Sequence, residues 1–251
     1  MPVKILLSGC NGKMGKVISS IVEQRNDCCI IAGIDINDES NLGYQVYRSF
    51  DNITVIPDVI IDFSNPSALG SLLKFSINNN IPAVLCTTGY SKEQTQKIIS
   101  AAERVAVFYS RNMSIGINLL IELAKKAASV LGNDFDIEII EKHHNQKIDA
   151  PSGTALMIAD AVAEAGENEY QYIYDRHSYR HKRENNEIGI HSVRGGTIVG
   201  EHEIIFAGNN ETVSISHSAQ SKAVFAAGAV NAAIYICDKK PGLYDMSDLI
   251  K

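Results

Sequence analysis

The sequence predicts an α/β protein with a doubly wound parallel sheet and a second, smaller α+β domain that carries an open mixed sheet. Three patterns predict this fold. Short apolar runs alternate with stretches of helical periodicity through the first 113 residues, as in parallel strands joined by helices. A glycine-rich turn follows the first apolar run. A strand-rich region joined by glycine turns begins at Ile188.

The composition indicates a globular protein that acts on small molecules. With 251 residues, of which 45% are hydrophobic, the chain can fill one large core or two modest ones. Its formal net charge of -6 argues against nucleic acid or an anionic membrane as a partner, because both attract basic proteins. No apolar run approaches the roughly 18 residues of a membrane helix. We therefore expect locally placed cations to bind any anionic ligand.

Cysteine usage favours a reducing compartment. The five cysteines are odd in number and show no C-x-x-C spacing. That pattern indicates neither a disulfide framework nor a zinc site. We expect free thiols, a cytoplasmic protein and no bound metal.

The first predicted strand leads into a turn that suits a dinucleotide. Val3 to Leu7 is a continuous apolar run, and helical periodicity resumes after Gly15. Glycines allow a tight bend and close approach of the backbone, while the helix N-terminus receives the pyrophosphate. Many turns of this kind carry glycine for backbone reasons alone, so the spacing G-x-x-G-x-x-G is a moderate signal. The candidate cofactor-binding residues are Gly9, Cys10, Asn11, Gly12, Lys13 and Met14.

An acidic residue strengthens this interpretation. The second strand, Cys28 to Ile34, ends at Asp35, where a Rossmann-type fold places the acid that binds a ribose 2′-hydroxyl. Ile36 and Asn37 follow, so the adjacent sequence offers no Arg or Lys for a 2′-phosphate. We therefore predict a Rossmann-type domain that uses NADH at least as well as NADPH, although Lys13 could reach a phosphate.

Polar residues follow three further predicted strands, which are Val59 to Phe63, Ala83 to Cys86 and Val105 to Tyr109. The carboxyl ends of parallel strands collect ligands at one edge of a sheet. An ordinary turn explains each polar cluster by itself, but their recurrence at consecutive strand ends indicates a wall of the nicotinamide pocket. The candidate residues are Cys86, Thr87, Thr88, Ser110, Arg111, Asn112 and Met113.

The remaining periodic stretches lie outside this first sheet. Residues 117–131 form an amphipathic helix, residues 188–217 alternate as strands, and residues 224–234 return to helical spacing. Residues 166–187 are polar and aperiodic, which is typical of a solvated loop or an irregular edge strand. A lid or a subunit contact is the alternative for that segment.

The densest concentration of proton-donating and anion-binding groups lies in residues 136–163. Asp136 to His143 alternates as a strand with Glu141 and His143 on one face, and a helical stripe begins after Pro151. The free N–H groups and positive dipole end of a helix start attract a carboxylate. The segment therefore predicts an anionic substrate and a protonation step. Surface histidines beside a simple helix cap are the alternative.

The stretch HHNQKIDAPSGTA, from His143 to Ala155, closely resembles the signature of dihydrodipicolinate reductases, enzymes of lysine and diaminopimelate biosynthesis. Met14-Gly15 and Thr87-Thr88-Gly89 also resemble segments of this family. Four residues depart from the family pattern in neighbouring segments. They are Cys86 in place of Gly, Arg111, Met113, and Lys222 where Arg is common.

The resemblance implies reduction of a cyclic dicarboxylate to tetrahydrodipicolinate with NADH or NADPH. It implies that His143 is the acid and that Lys147 assists it or donates the proton. The implied substrate-binding residues are His144, Ser152, Gly153 and Thr154. The resemblance also implies a homotetramer. The expected domains are 1–113 plus 219–251 for the dinucleotide, and 114–218 for the substrate and for oligomerisation.

Two alternatives stay open from the sequence. Another two-domain oxidoreductase, of the aspartate or homoserine dehydrogenase type, would explain the glycine turn and Asp35 but not the His143 to Ala155 segment. A non-catalytic dinucleotide sensor would bind NADH without turnover.

Overall fold

The computed structural model describes residues 1–37, 42–166, 169–178 and 180–250, and the chain forms two compact units. The first unit comprises residues 1–115 and 223–251, and the second comprises residues 116–222. The sequence places the corresponding bounds at 113 and 218, and the roles that it assigns to the two domains stay predictions.

The first unit is a parallel sheet covered by helices. Its strands are β1 (Val3–Ser8), β2 (Cys28–Ile34), β3 (Gln45–Tyr47), β4 (Val59–Asp62), β5 (Ala83–Leu85), β6 (Ala106–Tyr109) and β12 (Gly242–Tyr244). Its helices are α1 (Lys13–Glu23), α2 (Leu69–Asn79), α3 (Lys92–Ala102), α6 (Ala223–Ile236) and α7 (Met246–Leu249). The strand order is β12-β6-β5-β4-β1-β2-β3, and every neighbouring pair is parallel. This confirms the predicted Rossmann-type sheet.

The continuous apolar run of β1 is explained by burial on both faces of the sheet. Ile5 and Leu7 belong to the core on the side of α1 and α6, whereas Leu6 belongs to the core on the side of α2 and α3. All three side chains are fully buried. Successive residues of a strand point to opposite faces, so a doubly covered strand needs apolar residues at every position.

Two strands of this sheet, β3 and β12, were not predicted. Each has three residues and lies at an edge of the sheet. Such a short segment gives too little alternation to separate a strand from a loop.

The second unit is a mixed sheet with two helices on one face. Its strands are β7 (Asp136–His143), β8 (Gln171–Ile173), β9 (Glu187–Arg194), β10 (Gly200–Ala207) and β11 (Thr212–Ala219), and its helices are α4 (Ile115–Leu131) and α5 (Gly153–Ala165). The order is β11-β10-β7-β9-β8, with β7 parallel to β9 and antiparallel to β10. Ile139 and Ile204 of the sheet share a core with Leu120 of α4 and Ile158 of α5. The predicted open mixed sheet is confirmed.

The aperiodic segment 166–187 contributes the edge strand β8, and residues 167, 168 and 179 of it lie outside the described residues. Arg176 pairs with Glu187 at 2.7 Å and with Glu138 at 3.2 Å. Arg183 pairs with the same Glu138 at 3.2 Å. These ion pairs tie the segment to β7 and β9.

None of the helices in the described ranges is long and apolar enough to cross a membrane.

Candidate active site

The glycine turn after β1 is tight enough to exclude side chains at two positions. Gly9 has φ +80°, in the left-handed region that glycine tolerates best. A Cβ atom on Gly15 would lie 2.3 Å from the carbonyl oxygen of Gly9. The turn therefore depends on glycine for its shape, and it leads directly into the N-terminus of α1.

Asp35 is held against this turn. The backbone N–H of Asn11 donates to Oδ2 of Asp35 at 3.0 Å, and the N–H of Asn37 donates to Oδ1 at 3.2 Å. A cavity of about 380 Å³ opens here, and Gly9, Gly12 and Asp35 all contribute to its lining. The cavity lies where the strand order reverses at β1, which is where this type of sheet binds dinucleotides. These residues fit an adenosine diphosphate moiety.

A cation that the sequence did not predict lines the same cavity. Ile34 of β2 pairs with Tyr47 of β3, so Asp35 and Arg48 follow paired residues at two neighbouring strand ends. The sequence next to Asp35 carries no Arg or Lys, but pairing of the unpredicted β3 with β2 places Arg48 at the neighbouring strand end.

Three predicted cofactor residues have their side chains in the core. Cys10, Cys86 and Met113 are buried among the apolar residues beside α1 and α6. Burial and the charge of Asp35 raise the pKa of the Cys10 thiol to about 11. These three residues can offer a cofactor chiefly their backbone atoms, and Cys86 packs as a strand end would. Lys13, Thr88 and Arg111 are exposed, and Met14 is partly buried.

A buried carboxylate organises the loops after β4 and β5. Asp62 accepts hydrogen bonds from the Thr87 hydroxyl at 2.6 Å and from the Tyr90 hydroxyl at 3.2 Å, and Ser64 also donates to it. The Thr87 side chain therefore supports the loop. In the neighbouring loop, the Ser110 hydroxyl donates to the carbonyl oxygen of Asn112 at 3.1 Å.

In the second unit, His143 ends β7 with its ring against a buried carboxylate. Its Nδ1 lies 2.6 Å from Oε2 of Glu141. Glu141 is 0% exposed and His143 is 9% exposed. The other edge of the ring faces Gly200, because a Cβ atom there would lie 3.1 Å from Nε2. The predicted placement of Glu141 and His143 on one face of the strand agrees with the alternating burial of β7.

Arg194 neutralises this buried carboxylate. Its Nη1 donates to Oε2 of Glu141 at 2.8 Å, and its Nη2 donates to Oε1 at 2.7 Å. Burial alone would raise the pKa of Glu141, but hydrogen bonds from Arg194, Ser192 and His143 outweigh it and hold the pKa at about 2. Burial lowers the pKa of His143 below its usual value, and the bond to Glu141 opposes that shift.

Ser152 caps α5 and is itself buried. Its Oγ accepts from the N–H of Ala155 at 3.1 Å and lies 3.2 Å from Nε2 of His202. Its own N–H donates to Oε1 of Glu141 at 3.1 Å. The Ser152 N–H thus already makes a hydrogen bond within the protein, and the substrate-binding role of Ser152 stays a prediction. Gly153 is exposed and Thr154 is partly buried at the same helix start.

Lys147 and His144 lie in the loop between β7 and α5. Lys147 Nζ is 2.9 Å from Oδ1 of Asp149, and the lysine side chain is 22% exposed. Its backbone N–H donates to the carbonyl oxygen of His144 at 3.2 Å. Lys147 is therefore a partly shielded cation near the start of α5, and His144 is partly buried.

Arg194 and His202 are components of this cluster that the sequence analysis missed. His202 is buried in ring contact with His143, with centroids 5.3 Å apart, and burial lowers its pKa to about 4. Arg194 pairs with His143 across β7 and β9, and His202 pairs with Glu141 across β7 and β10. Both contacts depend on strand pairing, which no local sequence pattern indicates.

Among the described residues, no group of three or more His, Cys, Asp or Glu side chains could hold a metal ion.

Family models of the dihydrodipicolinate reductase N-terminus and C-terminus match residues 3–113 and 116–250. The chain belongs to this family. It is 50% identical over 248 residues to the 4-hydroxy-tetrahydrodipicolinate reductase of Clostridium novyi (strain NT), covering 99% of this chain and 98% of that protein. The corresponding reductase of Caldanaerobacter subterraneus subsp. tengcongensis is 49% identical over 251 residues, covering 100% of this chain and 99% of that protein.

A solved structure agrees with this membership. The dipicolinate-bound dihydrodipicolinate reductase from Paenisporosarcina sp. TG-14 superposes with a TM-score of 0.83 at 26% identity, over 100% of both chains. Membership of this family confirms the prediction that the chain is an NAD(P)H-dependent oxidoreductase. The two alternatives, an aspartate or homoserine type of dehydrogenase and a non-catalytic sensor, do not explain the family match over residues 116–250.

Proposed function

We propose that the chain reduces the cyclic dicarboxylate of lysine and diaminopimelate biosynthesis to tetrahydrodipicolinate, as its resemblance to the reductases implies. The observation that carries the proposal is the cluster on β7 and the start of α5. A histidine supported by a buried carboxylate lies on the same segment as Lys147 and a helix N-terminus. The solved relative is described as dipicolinate-bound, which supports a cyclic dicarboxylate as the substrate.

Bound NAD(P)H would supply the hydride. The turn from Gly9 to Met14 would receive its pyrophosphate at the start of α1, and Asp35 would bind its ribose. Asp62, through Thr87 and Tyr90, keeps the loops after β4 and β5 in place.

The second unit provides the proton and binds the anionic groups. Hydride addition to a conjugated imine leaves negative charge on the substrate, which must be met by a proton. His143 is the proposed acid, and Lys147 assists it by its charge or donates in its place. His144 and the backbone around Gly153 and Thr154 would bind the carboxylates. Ser152 supports this helix start through its cap and its bond to Glu141.

Both forms of the nicotinamide cofactor fit the first unit. Asp35 suits the free ribose hydroxyls of NADH, and Arg48 at the adjacent strand end suits the 2′-phosphate of NADPH. We therefore propose use of both cofactors, with Arg48 setting the affinity for NADPH.

We further propose a cytoplasmic homotetramer that assembles through the second unit. All five cysteines lie in the described part of the chain and are free thiols, which suits a reducing compartment. The sheet of the second unit ends at β11, whose Thr212, Ser214 and Ser216 side chains are exposed, so an edge is available for pairing. Light scattering at four times the mass of one chain would support the tetramer, and a monomer would exclude it.

The test of the activity is spectrophotometric. Dihydrodipicolinate made by its synthase is added to the protein and NADH, and the absorbance of the reduced nicotinamide is followed. We expect substrate-dependent loss of that absorbance. NADH binding without turnover would instead favour a sensor, and turnover with aspartate semialdehyde or aspartate would favour a different dehydrogenase.

A further inference from the structure

The buried Glu141 and its partly buried partner Arg194 bind neither substrate nor cofactor in the proposed function. We propose that Glu141, oriented by Arg194, is a positioning residue that fixes the tautomer of His143, so that protons enter and leave the ring only through Nε2. The inference rests on the proposed function of His143 as the acid.

Glu141 is ionised because Arg194 and neighbouring hydrogen bonds stabilise its charge. A fully buried carboxylate stays ionised only if hydrogen bonds and a counter-ion replace its water. Arg194 supplies both, since two of its N–H groups donate to the two oxygens at 2.7 and 2.8 Å. Such a two-pronged contact fixes the orientation of the carboxylate as well as its charge. Arg194 is itself held in place, because Nη2 also donates to the carbonyl oxygen of Asp149 at 2.6 Å.

The ionised Glu141 determines which ring nitrogen of His143 carries a proton. An ionised carboxylate only accepts hydrogen bonds, so Nδ1, at 2.6 Å from Oε2, must carry a hydrogen in both charge states of the ring. Nε2 is then the atom whose protonation changes. It accepts a hydrogen bond in the neutral ring and donates one in the charged ring. This is the arrangement by which an orienting carboxylate makes a histidine effective in proton transfer.

Glu141 also connects His143 to the start of α5. Oε1 of Glu141 accepts from the N–H of Ser152, which is the N-cap of α5. The same carboxylate therefore orients the proposed acid through one oxygen and the start of the proposed carboxylate site through the other. Rotation of Glu141 would disturb both, so the proton and the anion-binding backbone are positioned together.

Several charged or titratable groups face His143. They are Glu141 on β7, Lys147 in the following loop, Arg194 on β9 and His202 on β10. Of these, Glu141 favours the protonated ring, whereas Lys147 and Arg194 oppose it. Removing the charge of Glu141 should therefore shift the protonation of His143 to lower pH.

The test compares Glu141→Gln with Glu201→Gln and with Glu141→Asp. Glu201 is a matched control because it also forms an ion pair, with Lys142 at 3.1 Å, on the strand next to β7. For Glu141→Gln we expect kcat to fall by about 10²-fold or more, since loss of the orienting carboxylate in a Ser-His-Asp triad costs still more. The pH profile of kcat/KM has a descending limb that follows the loss of the proton from His143. We also expect this limb to move to lower pH. Glu201→Gln should match the parent protein, and Glu141→Asp should restore the position of the limb.

A second readout does not depend on activity. Nitrogen-15 NMR of the histidine rings distinguishes the Nδ1–H from the Nε2–H tautomer. We expect neutral His143 to hold its hydrogen on Nδ1 in the parent protein and in Glu141→Asp, and to lose this preference in Glu141→Gln.

An Nε2–H tautomer in the parent protein would overturn the proposal even if Glu141→Gln does not fold. It would also be overturned if Glu141→Gln lowered kcat while leaving the pH limb and the tautomer unchanged, because Glu141 would then serve only the fold. Failure of the parent protein to oxidise NADH with dihydrodipicolinate would refute the proposed function, whereas the tautomer would still be decided by the NMR measurement.

Discussion

Nδ1 of His143 lies 2.6 Å from Oε2 of Glu141, and Glu141 is completely buried. The histidine is therefore fixed at one ring nitrogen, which leaves Nε2 for proton transfer. A solvated surface histidine would lack such a fixed orientation. The alternative in which the two histidines merely flank a helix cap does not account for the buried carboxylate, its arginine partner and their common contact with Ser152.

Replacing His143 by Gln should lower kcat by roughly 10² to 10⁴ fold, because the proposed acid would be lost from the transition state. NADH affinity, measured by fluorescence titration, should stay the same because the cofactor residues lie in the first unit. His177→Gln, which alters an exposed histidine of the same unit, should leave kcat unchanged. An unchanged kcat in His143→Gln would remove His143 from the mechanism.

The pH dependence of kcat/KM should reflect the lowered pKa of His143. Burial favours the neutral ring, so the protonated acid is lost at a lower pH than for an ordinary histidine. We expect kcat/KM to be high at low pH and to fall as the pH rises, with a midpoint below the usual value of about 6.5. Initial rates across pH measure this, with His143→Gln as the control that lacks the limb. A midpoint near that of lysine would instead assign the proton to Lys147.

Replacing Lys147 by Ala should lower kcat/KM by more than about threefold, or 0.7 kcal/mol. The reason is that a partly shielded ammonium near the start of α5 would lose its attraction for a substrate carboxylate. Lys142→Ala is the matched control, since Lys142 lies in the same segment and is also ion-paired, with Glu201. Equally small losses of kcat/KM in both variants would indicate that Lys147 is an ordinary surface lysine.

Replacing Arg48 by Ala should weaken NADPH binding by about tenfold, equal to 1.4 kcal/mol, while NADH binding stays the same. The guanidinium would interact with the 2′-phosphate, which NADH does not have. Dissociation constants for both cofactors from calorimetry provide the measurement. Arg104→Ala, an exposed arginine of the same unit, should change neither constant. Equal losses for the two cofactors would show that Arg48 acts on the shape of the cavity and does not recognise the phosphate.

Replacing Gly15 by Ala should destabilise the protein by about 1 to 3 kcal/mol and abolish the tight turn. The new Cβ atom would lie 2.3 Å from the carbonyl oxygen of Gly9 and 2.5 Å from that of Cys10, so the backbone would have to shift. Gly70→Ala is the control, because nothing lies within 4 Å of its Cβ position in α2 and alanine favours a helix. Urea unfolding of both variants tests the difference, and equal stability would contradict it.

Local patterns determined a large part of this protein. Alternation on β7 placed Glu141 and His143 on one face, and the run of Val3 to Leu7 indicated a strand buried on both sides; both features depend on neighbours within one element. Asp35 could also be located, because the second strand and its end are visible in the chain itself. The signature from His143 to Ala155 identified the family for the same reason.

The partners of these residues were decided only by the tertiary structure. Arg194 reaches Glu141 because β9 lies parallel to β7 with Arg194 opposite His143, and Arg48 lines the cavity beside Asp35 because the unpredicted β3 pairs with β2. Strand pairing joins residues far apart in sequence through backbone hydrogen bonds that any side chains can make, so no local pattern records which residues will meet. Periodicity thus determined which side chains share a face of each strand or helix. The sheet register decided which other residues those side chains contact.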